Sequence, residues 1–206
     1  MPSRPAGVAT VGVVEHANSA ILVTIADGRV IDRRDVALTE AGMPTHPHHH
    51  EGSWAVGRYL GTPGARAMPL TEAVALVEQV RLAAERGARE GLAALAASVN
   101  VPIKAIALRA CPVLPPTIEG RIRDNRAQTM ADSVMYREAL AVAAEARGWT
   151  VHWYDRERVL ADAASVLALV DVDPFLKEMG RVVGPPWHTT HRLAAAAALA
   201  ATARPK

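Results

Sequence analysis

Runs of apolar, β-branched residues open the chain. Val8 to Val14 is the first, Glu15-His16-Ala17-Asn18 interrupts it, and Ser19 to Ile25 resumes the pattern. Asp27-Gly28 follows, a pair suited to a tight hairpin turn because glycine takes positive φ at little cost. Arg29 to Leu38 reads as a third strand, with charges that suit a sheet edge. The pattern predicts three consecutive antiparallel strands. From Thr71 the apolar positions change to helical spacing, through Ala73, Leu76, Val77, Val80, Ala84, Leu92 and Leu95. Gly87 and Gly91 either weaken this helix by roughly 1 kcal/mol each relative to alanine or admit a close neighbour.

Val101 to Leu108 reads as a buried strand, followed by a proline-rich turn at 112–116 and a short helical turn over 118–125. Gln128 to Arg147 is a helix stopped by Gly148. Trp149 to Tyr154 is the last strand, and helices follow over 156–169, 174–180 and the alanine-rich 189–203. Between strand three and the first long helix, residues 39–69 carry glycines, prolines and histidines without periodicity. They are expected to form a long irregular, His-rich loop.

The chain has 206 residues, half of them hydrophobic and 21% charged, which excludes wholesale disorder and fits a single domain over 1–206. A net charge of +2 writes no strong polyanion footprint into the bulk composition. The one cysteine, Cys111, excludes an intramolecular disulfide and fits a reducing compartment. No secretory pattern or membrane-length apolar run is present, so the expected location is cytoplasmic and no membrane partner is expected.

Three antiparallel strands, then two that return through helices, give an α/β fold with a mixed five-stranded sheet flanked by helices. This order resembles the ribonuclease H-like superfamily, which includes the Holliday-junction resolvases. The segments Val182 to Trp187, Met135-Tyr136-Arg137 and His152 to Asp155 further resemble an uncharacterised group of bacterial proteins with that fold. The superfamily resemblance implies acids on the first strand, near the fourth strand or its following helix, and on the last helix, converging on Mg²⁺ or Mn²⁺ to cleave a phosphodiester. Glu15 stands where the first acid is expected. Asp132 is the candidate for the second, with Glu119 as a rival. The last helix has no acid at its start, where His191 is the candidate third ligand or proton shuttle. Two bland alternatives stay open. Glu15 can simply pair with a nearby arginine, and Asp132 can be a carboxylate favoured near its helix N-terminus.

Two further constellations carry chemistry. His46, His48, His49, His50 and Glu51 are a dense supply of metal donors. Pro47 is expected to keep this stretch extended, with His48 and His50 on one side and His49 on the other. His46, His48, His50 and Glu51 are the candidate ligands, zinc being less expected than Mg²⁺ or Mn²⁺, and the alternative is a solvated loop. Arg121, Arg123 and Arg126 are candidates to hold a nucleic-acid backbone. Their alternative is a solvated helix face neutralised by Glu119, Asp124 and Glu138. The Gly184-Pro185-Pro186-Trp187 turn caps the core or offers a ring for base stacking. No phosphate-binding glycine loop or serine-nucleophile elbow is present.

Three functions therefore stand side by side: a metal-dependent nuclease-like protein, its catalysis intact or degenerate; a non-catalytic module binding nucleic acid or protein; and a transition-metal binder using 46–51. The alanine-rich helix either packs on itself across a two-fold axis, giving a homo-oligomer, or completes the core of a single chain.

Overall fold

The computed structural model describes residues 7–202. Strands β1 (Ala9–His16), β2 (Ser19–Ala26) and β3 (Arg29–Ala37) form an antiparallel meander, and β4 (Ile103–Arg109) and β5 (Thr150–Tyr154) lie parallel to β1. The sheet order is β3-β2-β1-β4-β5. This is the mixed five-stranded arrangement expected from the sequence. Asp27 and Gly28 both take positive φ at the β2–β3 turn, as the primed hairpin requires.

Helices cover both faces. Helices α1 (Glu51–Ala55), α2 (Leu70–Ser98), α3 (Ile118–Arg123) and α4 (Asn125–Glu145) pack on one side, over Val11, Val13, Leu22, Ile106 and Leu108. Helices α5 (Val159–Val166), α6 (Asp173–Val183) and α7 (Thr189–Thr202) cover the other, over Val23, Ile25 and Ala107. The alternation of β1 and β2 side chains divides these residues between the two cores.

Small residues set the spacing of both layers. A Cβ on Gly87 would stand 2.4 Å from the Leu38 carbonyl oxygen, and one on Gly91 2.2 Å from Val36 Cγ1. These glycines therefore let α2 lie close over β3 and the segment after it. On the opposite face, a Cβ on Gly12 would fall 1.8 Å from the Ala194 carbonyl oxygen. There α7, buried from Ala194 to Ala201, rests almost directly on the backbone of β1.

The segment 39–69 departs from the expected irregular loop, because it contains α1 and a helical turn leading into it. The His50 amide donates to the His46 carbonyl and the Gly52 amide to the Pro47 carbonyl, both at 2.8 Å. Pro47 thus opens a helical turn rather than an extended stretch, since its fixed φ suits the first helical position and its missing N–H has no partner there anyway.

Candidate nucleic-acid interface

The parallel strands β1, β4 and β5 end together, with Arg109 opposite Tyr154 in the β4–β5 register. A crevice outside the carboxyl ends of parallel strands is the usual ligand position in open α/β sheets. Two adjoining hollows occupy this edge. One, of about 580 Å³, is lined by Arg109, Cys111, Thr129, Ser133, Arg137 and Arg156 among others, and a smaller one, of about 200 Å³, by Glu15, His16, Thr189 and Thr190. Arg109, Tyr154 and Arg156 belong to both.

Glu15 is at this edge, near the end of β1, and its Oε1 lies 3.1 Å from Arg137 Nε. The side chains are only 7% and 4% exposed. Arg137 is held further by donating Nη1 to the Ala110 and Arg109 carbonyls, at 2.7 and 3.3 Å, and Nε to the Ser133 carbonyl at 3.0 Å. Behind the pair, the Tyr154 hydroxyl donates to the Val13 carbonyl at 2.9 Å, and burial pushes its pKa far above the ordinary range. Burial likewise raises the Cys111 thiol, with Arg137 pulling the other way. That favours a protonated sulfur over a nucleophilic thiolate.

Asp132 does not join Glu15. It is buried, and its two oxygens accept from the backbone amides of His48 (2.9 Å) and His49 (3.0 Å). His48 Nδ1 lies 2.9 Å from Oδ1. These amides belong to the first turn of a helical segment, where N–H groups have no partner inside the helix. Asp132 therefore serves as their cap from a different helix. His191 lies elsewhere again. It is 5% exposed, accepts the His188 amide at Nδ1 (3.1 Å) and stacks against Trp187. Burial lowers its pKa, reinforced by Arg33. Thr189, Thr190 and Leu193 face the small hollow, and His191 is not among its lining residues.

The turn from His46 to Glu51 is docked on α4 through Asp132, and His50 stacks on Trp54 one helical turn later. Burial depresses the pKa of His46 and raises that of Glu51. Among the described residues, no group of three or more His, Cys, Asp and Glu side chains meets at one point in a way that could hold a metal ion.

The arginines at 121–126 divide. Arg123 pairs with Glu119 at 2.7 Å, and Arg121 approaches Glu138 at 3.5 Å and donates to the Pro115 carbonyl. Arg126 is exposed and makes no ion pair among the described residues. It stands above Thr129, Met130, Ser133 and Arg137 at spacings of three and four, on one face of α4. That stripe leads from solvent down to the Glu15 pair, and its spacing is readable in the sequence. Arg109 and Arg156, which sequence reasoning does not single out, form no ion pair among the described residues either. Only the folded strand ends, where both line the same two hollows, bring them together. Asp155 and Glu157, both exposed, line the β5–α5 side of the larger hollow.

Trp187 is used inside the fold. Its Nε1 donates to the Leu176 carbonyl at 2.9 Å, and a Cβ on Gly180 would stand 2.1 Å from its ring. Arg33 clasps the carbonyls of Gly184, Pro185 and Pro186 just before it.

A pair of Mg²⁺ or Mn²⁺ ions, as the resemblance drawn from the sequence implies, does not fit this edge. Hard cations need several oxygen ligands. Glu15 is the carboxylate lining the small hollow, Asp155 and Glu157 line the larger one, and no three such side chains converge among the described residues. Glu15 is already neutralised by Arg137, with Arg109 and Arg156 beside it. A metal ion there would meet three guanidinium groups.

No family model and no curated protein matches the chain. Among solved structures it is similar to Thermus thermophilus RuvC in complex with a Holliday junction substrate. The identity is 16% and the TM-score 0.49, over 94% of this chain and 91% of that one. It is similar also to a second Thermus thermophilus RuvC structure, at 15% identity and TM-score 0.47, over 94% of this chain and 92% of that one. The fold assignment stands on strand order and pairing. No helix among the described residues is long and apolar enough to cross a membrane.

Proposed function

We propose that this protein binds the phosphate backbone of nucleic acid along the carboxyl edge of β1, β4 and β5, and does so without hydrolysing it. One observation carries the reading: the carboxylate expected to hold a metal ion is instead locked to a buried arginine, leaving Arg109 and Arg156 beside it with no ion pair among the described residues. Phosphates are held by guanidinium groups and by serine and threonine hydroxyls. The edge offers both, through Arg109, Arg156, Thr129, Ser133, Thr189 and Thr190, with Arg126 at the outer end of the α4 stripe. Asp155 and Glu157 mark the wall along which a backbone does not run.

Fluorescence anisotropy with labelled single-stranded, duplex and four-way-junction DNA tests this. Binding is expected to weaken as salt rises, and the DNA to stay intact with Mn²⁺ present. The double variant Arg109→Ala/Arg156→Ala is expected to flatten the salt slope by about one unit for each phosphate that an arginine no longer holds. Cleavage that requires Mn²⁺ and disappears in Glu15→Ala would restore the nuclease reading, and salt-independent or absent binding would remove nucleic acid altogether.

A further inference from the structure

The helical turn before α1 brings two imidazoles to the separation that a shared ion requires. His46 and His50 are one turn apart, their ring centroids separated by 5.5 Å, and His49 brings a third ring 5.4 Å from His50. A tetrahedral zinc-type ion binds imidazole nitrogen at about 2.0–2.1 Å. Two such rings on one ion then have centres roughly 5 to 5.5 Å apart. Histidines at i and i+4 on a helical turn are a known chelating arrangement for this ion class.

The surroundings hold the pair in place. His46 Nδ1 lies 2.8 Å from Thr45 Oγ1, and the Thr45 carbonyl accepts the Tyr136 hydroxyl at 3.0 Å. Anchoring a histidine through one ring nitrogen orients the other for coordination. Asp132 fixes the turn itself by accepting from two of its amides.

A second observation points to a ligand. Four buried side-chain nitrogen and oxygen atoms lack a hydrogen-bond partner among the described residues. Three of them, His48 Nε2, His49 Nδ1 and Glu51 Oε2, belong to this short turn. None of these atoms is on His46 or His50; they are polar groups of the same turn that ordered water around a bound ion would satisfy.

We propose that His46 and His50 chelate one divalent transition-metal ion of the zinc and cobalt class, with water completing its coordination. Because no three ionisable side chains already converge here among the described residues, the protein supplies two ligands and solvent the rest. Imidazole donors select this class over Mg²⁺ or Mn²⁺. His16, at the end of β1, is among the groups whose charge reaches His46. An ion on the turn therefore adds positive charge near the edge described above.

The test titrates the metal-free full chain with Co²⁺, by calorimetry and visible absorption, with no nucleic acid present. Its outcome is thus independent of the phosphate reading. One equivalent is expected, displaced by Zn²⁺, while Mn²⁺ gives no matching signal. His46→Gln and His50→Gln are each expected to weaken binding at least about tenfold. His188→Gln, at an exposed histidine away from the turn, should leave it unchanged. Circular dichroism establishes that the variants fold. Absence of binding, or several weak equivalents that persist in both turn variants, overturns the proposal.

Discussion

Glu15 and Asp132 are two carboxylates for which the same work is expected from sequence, and both are buried against nitrogen partners, yet their surroundings differ in kind. Glu15 meets a guanidinium that is itself fixed by three carbonyls, so its charge is cancelled by a permanent cation. Asp132 meets two backbone amides and an imidazole, so its charge organises a helical turn. Arg137 and Asp132 lie five residues apart on α4, on different faces. One helix thus supplies a cation to the strand ends and an anion to the histidine turn. Which residues a carboxylate meets, more than its place along the chain, decides what it does.

The largest expected effect breaks this comparison on the strand side. Arg137→Met leaves Glu15 buried without its partner and should cost about 3–5 kcal/mol of stability in urea unfolding. Adding Glu15→Leu should recover part of that, because an apolar pair of similar volume is often tolerated. A cost below about 1 kcal/mol for the single variant would mean that water already reaches the pair.

Asp132→Ala comes next, at about 2 kcal/mol, because two buried amides lose a charged acceptor. Hydrogen exchange should show the His48 and His49 amides opening well before the sheet. Protection equal to the wild type would remove the cap from the account.

His191, the third residue expected beside these two, sharpens the contrast at the smallest amplitude. Burial and Arg33 hold its folded pKa below the ordinary 6.5, against Asp35. The unfolded chain therefore takes up this proton first as pH falls, and binds more protons than the folded chain between the two pKa values. Its contribution to stability is thus complete above about 6.5 and declines as pH drops toward the lowered folded value. A melting temperature that falls between about pH 7.5 and 5.5, and falls less in His191→Gln, is the expected result.

Most of the fold is legible because strands and helices differ in period. The runs through Val14 and Ile25, the Asp27-Gly28 turn and the spacing from Ala73 to Leu95 all appear as regular elements near the expected boundaries. The turn at Pro47 escapes the sequence pattern for a local reason. Proline suits both an extended segment and the first turn of a helix, and Asp132, which decides between them, is remote in sequence. The site is legible only in part for the same reason. That Glu15 can pair with an arginine is foreseeable, but Arg137 reaches it only because α4 runs back along β1 and β4. Arg109 and Arg156 have neither periodicity nor a motif to mark them, and acquire meaning only from the β4–β5 register.

The close approach of Gly12 to Ala194 has a mechanical consequence for the groove. At Gly12, helix α7 meets β1 with no side chain between them, and alanine has no rotamers through which that contact could slacken. Thr189 and Thr190 ride on that helix, so one bank of the groove is positioned directly by the strand that carries Glu15. The larger hollow beyond it is lined by the connection after β5, by the stretch from Arg109 to Pro112 and by the α4 residues Thr129, Met130, Ser133 and Arg137. A ligand that enters this edge would thus meet one bank registered directly to the strand that carries Glu15.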